Sequence, residues 1–195
     1  MSKRIALLSA VAFSALALTA SVIAPASAED KKMPKSELSG EKTVMVGGAA
    51  MFPSKNIIQN AVNSKDHTTL VAAVKAAGLV ETLEGKGPFT VFAPTNAAFG
   101  KLPAGTVDTL VKPESKATLT KILTYHVVPG KLEASSLTNG KKLKTVEGEE
   151  LTVKLADGKV WIVDAKGGTA AVTIANVNQS NGVIHVVDTV LMPAS

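Results

Sequence analysis

The side chains of this sequence that could carry out acid–base chemistry near neutral pH are three histidines, His67, His126 and His185. They lie far apart, and none belongs to the H-x-x-x-H spacing that places two imidazoles on one zinc ion. The chain has no cysteine, which excludes a thiolate nucleophile, cysteine-ligated zinc and disulfides. No Gly-x-Ser-x-Gly motif is present, and the single four-residue match to Ser-x-x-Lys lacks the context of a serine nucleophile. The sequence therefore predicts neither an enzyme nor a metal or other cofactor.

The local sequence around two of these histidines predicts different settings for them. His185 shares one face of an apolar strand with Val183 and Val187, because side chains alternate along a strand. A structural role is therefore predicted for His185. His67 follows Asp66 at the start of a helical pattern, where the aspartate can cap exposed amides. We therefore expect the ring of His67 to stay in solvent.

The elements that must position these histidines begin with a helical first half of the chain. Apolar residues at helical spacing after Ser54 predict two short helices, the second ending at Gly78. The apolar run Phe89–Ala93 predicts a short buried strand. Pro103 and Pro113 mark the starts of two further small helices.

The chain becomes rich in β-branched residues after Tyr125, with strand-like runs separated by short turn sequences. Asp157-Gly158, Gly167-Gly168 and Asn181-Gly182 separate these runs and predict hairpin turns. The earlier segment 44–53 is apolar but interrupted by glycines and a proline, so we expect an irregular segment packed on the core. Helices followed by strands predict an α+β fold class.

The N-terminal residues predict export from the cytoplasm. Lys3 and Arg4 precede a long apolar run that ends in a small-residue triplet, which is the layout of a secretory signal peptide. We expect removal of the signal peptide 1–28, which leaves a flexible charged leader at 29–42 and one domain at 43–195. A retained membrane anchor is the rival interpretation of the apolar run. No second long apolar segment follows, so we expect no membrane span after cleavage and a secreted or periplasmic protein.

The charge of the cleaved chain argues against nucleic acid as a partner. Loss of Lys3 and Arg4 from 21 basic residues leaves 19 against 16 acidic residues, a net charge of +3. Arg4 is the only arginine, so the cleaved chain has no guanidinium for bidentate recognition of phosphates or base edges. The lysines are spread along the chain and are typical of a solvated surface.

Three segments resemble the landmarks of the fasciclin domain family, and they occur in the order that the family has. Residues 90–99 (TVFAPTNAAF) resemble its first motif, Tyr125-His126 its tyrosine–histidine motif, and residues 181–193 (NGVIHVVDTVLMP) its second motif. The resemblance extends from about Pro53 to the end of the chain. It implies a fasciclin-like wedge or sandwich of β-strands with a bundle of short helices, and a role in cell adhesion or another extracellular interaction.

The resemblance also implies where a functional site would lie. It places His126 near the first motif, where a ring nitrogen could bond the region of Thr95 or Asn96. Tyr125, His126, Thr95 and Asn96 are therefore candidate interaction or structural residues. In one interpretation His126 is buried and locks two segments together, and in the other Tyr125 and His126 form part of an adhesive surface. The family usually has aspartate at the position of Asn96, so a neutral amide replaces a charged partner for the histidine.

Together the signal sequence and the three motifs predict an exported, non-catalytic adhesion or interaction module. Its expected partner is a protein or polysaccharide at the cell envelope or outside the cell. The alternative is a periplasmic protein that holds a small apolar or lipid-like ligand between helices and sheet. That alternative is indicated by the apolar, methionine-containing segment Met45–Phe52.

Overall fold

The computed structural model of the chain describes residues 42–194. The predicted signal peptide and almost all of the predicted leader lie outside the described residues. Within them the chain forms nine strands and six α-helices. The helices are α1 (Ile57–Ala61), α2 (Thr68–Ala77), α3 (Val80–Glu84), α4 (Asn96–Gly100), α5 (Thr106–Leu110) and α6 (Lys116–Tyr125). The strands are β1 (Val44–Val46), β2 (Ala49–Met51), β3 (Phe89–Pro94), β4 (Val127–Pro129), β5 (Lys142–Lys144), β6 (Glu150–Ala156), β7 (Lys159–Val163), β8 (Thr169–Gln179) and β9 (Gly182–Val187).

Seven strands form one mixed sheet in the order β4-β3-β9-β8-β7-β6-β5. β3 and β9 pair in parallel at its centre, and the other neighbouring strands are antiparallel. Two register shifts in β8 bend the sheet, as bulges do. Its two ends approach each other, because the amide of Val146, just after β5, donates to the carbonyl of Val127 in β4 (2.8 Å). This nearly closed sheet with its short helices confirms the predicted α+β fold class.

The helices pack on one face of the central strands and form the larger of two cores. Leu70 and Val74 of α2 and Leu119 and Ile122 of α6 are buried there against Ile184 of β9. These apolar residues recur every three or four positions, which is the spacing that places them on one face of a helix. No helix among residues 42–194 is long and apolar enough to cross a membrane.

The second core lies on the opposite face of the same central strands. Phe92 of β3 and Val187 of β9 meet Leu151 and Val153 of β6 and Ile162 of β7, and all five are at most 1% exposed. Successive residues of β3 and β9 therefore point into different cores. Burial on both faces explains why these two strands are apolar except for Thr90 and His185.

The segment before the first helix differs from the prediction of irregular structure. β1 and β2 form a small antiparallel hairpin joined by Gly47 and Gly48. Both glycines have positive φ angles, 57° and 76°, which suit the tight turn of a two-residue hairpin. The two glycines thus connect paired strands, whereas the sequence analysis took them as interruptions.

Candidate functional site

Tyr125 is the last residue of α6, and its side chain is fully buried in the second core. Its hydroxyl oxygen accepts a hydrogen bond from the amide of Ala165 (2.8 Å). The hydroxyl is also 3.4 Å from the carbonyl of Glu150, to which it donates. Burial is the main cause that raises the pKa of Tyr125 to about 12. The phenol is therefore neutral and joins the end of α6 to the start of β6 and to the turn after β7.

His126 follows Tyr125 directly and is 2% exposed. Its Nδ1 lies 2.8 Å from the carbonyl of Ile122, and the amide of Leu191 donates to its Nε2 (3.0 Å). Because Nε2 accepts, the proton is on Nδ1, which donates to the carbonyl. Burial is the main cause that lowers the pKa of His126 to about 4. The neutral ring therefore holds the C-terminal segment against the end of α6.

Thr95 and Asn96 form the junction between β3 and α4. The hydroxyl of Thr95 accepts from the amide of Ala98 (3.2 Å) and so caps α4. The Asn96 amide group donates to the carbonyl of Lys65 (2.8 Å), and its oxygen accepts from the amide of Thr69 (3.0 Å). Asn96 thus ties α4 to the start of α2. An aspartate could not make the first of these bonds, because a carboxylate has no proton to donate.

The structure does not bring the four candidate residues into one hydrogen-bonded site. The expected bond from a His126 ring nitrogen to Thr95 or Asn96 is absent, since both nitrogens are used by Ile122 and Leu191. The two motifs are joined through the backbone, where the amide of Phe92 donates to the carbonyl of His126 (2.9 Å). The side chain at position 96 is therefore not a hydrogen-bond partner of the histidine.

The other two histidines are also in the interior. His185 is fully buried, as its strand face predicted; its Nε2 lies 2.7 Å from the carbonyl of Leu132, and its ring stacks on Phe92. The expectation that His67 stays in solvent is wrong, because it is 3% exposed and its Nδ1 lies 2.9 Å from the hydroxyl of Ser64. Burial is the main cause that lowers the pKa of both rings. Among the described residues, no group of three or more acidic or histidine side chains could hold a metal ion.

Asn181 is a structural residue whose role the sequence analysis missed. Its side-chain oxygen accepts from the amide of Ile57 (3.1 Å) at the start of α1. Its side-chain nitrogen donates to the carbonyls of Leu83 (2.7 Å) and Gly85 (3.0 Å) at the end of α3. Asn181-Gly182 was expected only to form a turn, and the turn lies one residue earlier, since Gln179 pairs with Gly182. No local pattern signals that this side chain connects two helices to the sheet.

An apolar cavity of about 40 Å³ lies between the helices and the sheet. Val46 and Met51 of the first hairpin line it, together with residues of α1, α2, β3 and β9. His67 and His126 contribute to its wall. The volume is enough for an occupant the size of a few water molecules and far below the roughly 300–1,000 Å³ of ligand pockets.

A shallow groove of about 270 Å³ lies on the outer face of the sheet. It is lined by Lys154, Ala156, Asp157, Trp161 and Thr169 and is called the Trp161 groove below. Lys154, Asp157 and Thr169 are exposed, whereas Ala156 and Trp161 are half-buried. The sequence analysis did not single out this tryptophan.

Comparisons with known proteins agree with this architecture. The family model for the fasciclin domain matches residues 65–193. Protein sll1483 of Synechocystis sp. is 52% identical over 153 residues, which cover 78% of this chain and 82% of that protein. Cell surface glycolipoprotein MPB83 of Mycobacterium bovis is 38% identical over 153 residues, which cover 76% of this chain and 64% of that protein.

A solved structure confirms the fold at low sequence identity. The FAS1 domain pair from the insect cell adhesion molecule Fasciclin I superposes with a TM-score of 0.65 and 18% identity. The match covers 72% of this chain and 52% of that chain, so the protein spans about half of the domain pair. The family model and the curated relatives confirm the resemblance of the three sequence motifs, and the chain belongs to the fasciclin domain family.

Proposed function

We propose that the protein is an exported, non-catalytic interaction module that binds a protein or polysaccharide at the cell envelope or outside the cell. The observation that carries the proposal is the burial of all the side chains with acid–base potential near neutral pH. His67, His126 and His185 are 3%, 2% and 0% exposed. The main cause of each lowered pKa is burial, so all three rings are neutral at pH 7.

The buried rings cannot act on a bound substrate from where they lie. A general base must come within about 2.6–3.2 Å of the proton that it removes. The ring nitrogens of His126 are occupied by a backbone carbonyl and a backbone amide of the protein itself. Both bonds lie in the interior, so we assign His126, like Tyr125, a structural role. Binding then belongs to the exposed surface of the domain.

The names of two similar proteins support the proposed location and role. One bacterial relative is a cell surface glycolipoprotein. The protein with the similar fold is an insect cell adhesion molecule. The N-terminal sequence of this chain has the layout of a signal peptide. These observations support our proposal that the protein acts outside the cytoplasm.

The location is tested by fractionating the native cells and measuring the mass of the purified protein. We expect the protein in the periplasmic or extracellular fraction with residues 1–28 removed. A protein that starts at Met1 and stays in the cytoplasm would contradict export. A protein that starts at Met1 and is found with the membranes would instead support the retained anchor.

The interaction role is tested by binding of the purified protein to a panel of envelope polysaccharides and extracellular proteins. We expect saturable binding to at least one member of the panel. The Tyr125→Phe variant lacks only the buried hydroxyl, so once its folding has been checked by circular dichroism it should bind with an unchanged Kd. Lost binding in the folded variant would place Tyr125 in the interface, and no binding to any member would contradict the role itself.

The apolar cavity supports a second candidate function, the holding of a small apolar ligand between helices and sheet. Its lining includes Val46 and Met51 of the segment that first suggested this function. At about 40 Å³ the cavity would have to open to take a lipid-like molecule. Native mass spectrometry of protein isolated from its own cells tests whether a small molecule is bound. A bound small molecule would support this function, and a mass equal to that of the polypeptide alone would count against it.

A further inference from the structure

The outer face of strands β6 to β8 carries the Trp161 groove, where Lys154, Asp157 and Thr169 are exposed. Strand pairing fixes the neighbours of the indole, because residues directly opposite each other in antiparallel strands share a face. Lys154 lies opposite Trp161 on one side, and Ala171 lies opposite it on the other. Ala156 and Thr169, which also line the groove, are small. Small neighbours leave part of the indole open to a ligand.

The charged groups at the groove favour an anionic partner with hydroxyl groups. Lys154 lines the groove, and Lys159 lies opposite the groove residue Ala156 on the neighbouring strand. Both lysines are exposed, and neither forms an ion pair with any residue in the range 42–194. Lys142, farther along the same face, pairs with Glu150 at 3.2 Å. Asp157 is the one acidic residue that lines the groove. The two unpaired ammonium groups can attract carboxylates or sulfates, while the aspartate can accept hydrogen bonds from hydroxyls.

The tryptophan itself carries a polar group that has no partner. Its Nε1–H is buried and finds no hydrogen-bond acceptor among the described residues. A buried donor without an acceptor costs free energy, and such groups in proteins are usually satisfied. Because Nε1–H is buried, the part of the half-buried Trp161 that faces the groove is its apolar ring.

We infer that the Trp161 groove is the binding site for an acidic polysaccharide. A sugar ring packs on the exposed part of the indole, and acidic groups along the polysaccharide face Lys154 and Lys159. A protein partner fits less well, because a stable protein interface needs about 800 Å² on each side with an apolar centre. Here lysines, a threonine and an aspartate surround a single aromatic ring. This inference rests on the proposed interaction role and names the partner class and the site.

The test uses the fact that Trp161 is the only tryptophan in the chain. Its fluorescence therefore reports on the groove alone. The purified protein is titrated with polygalacturonate, a polymer of acidic sugars, and in parallel with dextran, which is neutral. We expect a saturable change in emission with polygalacturonate, an affinity that falls as salt is added, and at least tenfold weaker binding of dextran. Equal binding of the two polymers would overturn the acidic specificity.

Paired lysine variants separate attraction at the groove from attraction by net charge. The Lys154→Gln/Lys159→Gln variant should bind polygalacturonate at least tenfold more weakly. The matched control is Lys75→Gln/Lys116→Gln, which removes the same charge from exposed positions on α2 and α6. The control should bind within twofold of the unsubstituted protein. An equal loss in both variants would overturn the site, since it would show that only net charge matters.

A tryptophan variant tests the stacking surface by calorimetry, which needs no fluorophore. Trp161→Ala, checked for folding by circular dichroism, should lose at least tenfold in affinity. Saturable glycan binding with unchanged emission, insensitive to Trp161→Ala, would overturn this inference but leave the interaction role standing. If the purified protein binds an extracellular protein but no glycan, this inference is also overturned and the interaction role again stands. Failure to bind any glycan or protein would overturn both.

Discussion

Lowering the pH from 7 towards 4 is expected to destabilise the fold through His126. In the unfolded chain the imidazole takes up its proton near pH 6.5, whereas burial holds the pKa of His126 in the folded protein to about 4. Between these values the unfolded state binds more protons than the folded state. The free energy of unfolding therefore falls as the pH falls through this range. Above pH 6.5 the ring is neutral in both states and contributes no pH dependence.

The size of this loss of stability follows from the difference between the pKa values of His126 in the unfolded and folded states. Each pH unit between the two pKa values lowers the free energy of unfolding by about 1.4 kcal/mol as the pH falls. His126 alone should therefore lower it by about 3 kcal/mol between pH 6.5 and 4. Below pH 4 the folded state is protonated too, and the contribution levels off. This loss is a large part of the roughly 5–15 kcal/mol that stabilises a typical domain. Burial lowers the pKa of His67 and His185 as well, so they act in the same direction.

Urea unfolding followed by circular dichroism at several pH values measures the effect. The comparison is with His126→Gln, which has no titrating ring at this position. The variant should be less stable by about 2–3 kcal/mol at pH 7, because it disturbs two buried hydrogen bonds. Its stability should nevertheless depend less on pH, by about 1.4 kcal/mol per unit between pH 6 and 4.5. Contributions of the acidic residues are common to both proteins and cancel.

Equal pH slopes in the two proteins would refute this reasoning, because they would mean that folded His126 is protonated as readily as a free imidazole. If the variant does not fold, an NMR titration of the unsubstituted protein settles the same point. Ring signals of His126 that stay constant down to about pH 5 support the buried neutral ring. A midpoint near 6.5 would contradict it.

Three further substitutions test the packing and the buried hydrogen bonds by urea unfolding at pH 7. Leu151→Ala should lower the free energy of unfolding by about 2–5 kcal/mol, because Leu151 is fully buried. The matched control is Leu155→Ala on the same strand, where the leucine is 46% exposed, and it should lower the free energy of unfolding by about 0.5 kcal/mol or less. Asn181→Ala should lower the free energy of unfolding by about 2–4 kcal/mol, because three backbone groups lose their partner. Asn63→Ala, at an exposed position, should change it little. Tyr125→Phe should cost about 1–2 kcal/mol. Equal effects within either matched pair would contradict the burial described here.

Features set by local chemistry were predictable from the sequence. Gly78 ends α2 with a φ of 75°, as its position after the apolar pattern predicted. Asp157 and Gly158 form the predicted hairpin turn between β6 and β7, and both have positive φ angles. In each case the residue type prefers the backbone conformation that the turn or helix end requires.

Features set by distant contacts were not predictable in this way. The ring of His126 bonds the amide of Leu191, which lies 65 residues away along the chain. His67 has a polar sequence neighbour in Asp66, yet it is buried because Ser64 and the end of β3 enclose it. The hairpin of β1 and β2 has strands of only three residues, too short for alternation to show.

The place of β9 at the centre of the sheet has a consequence for the order of events during synthesis. β9 is the last of the described strands to be synthesised, and both β3 and β8 pair with it. The parallel pairing of β3 with β9 joins Phe89 to Gly182, a contact between remote parts of the chain that closes slowly. The central strands therefore cannot assemble until residues 182–187 have been synthesised. Until then β3 and β8 lack the neighbour that they share, and the two cores lack the strand that separates them.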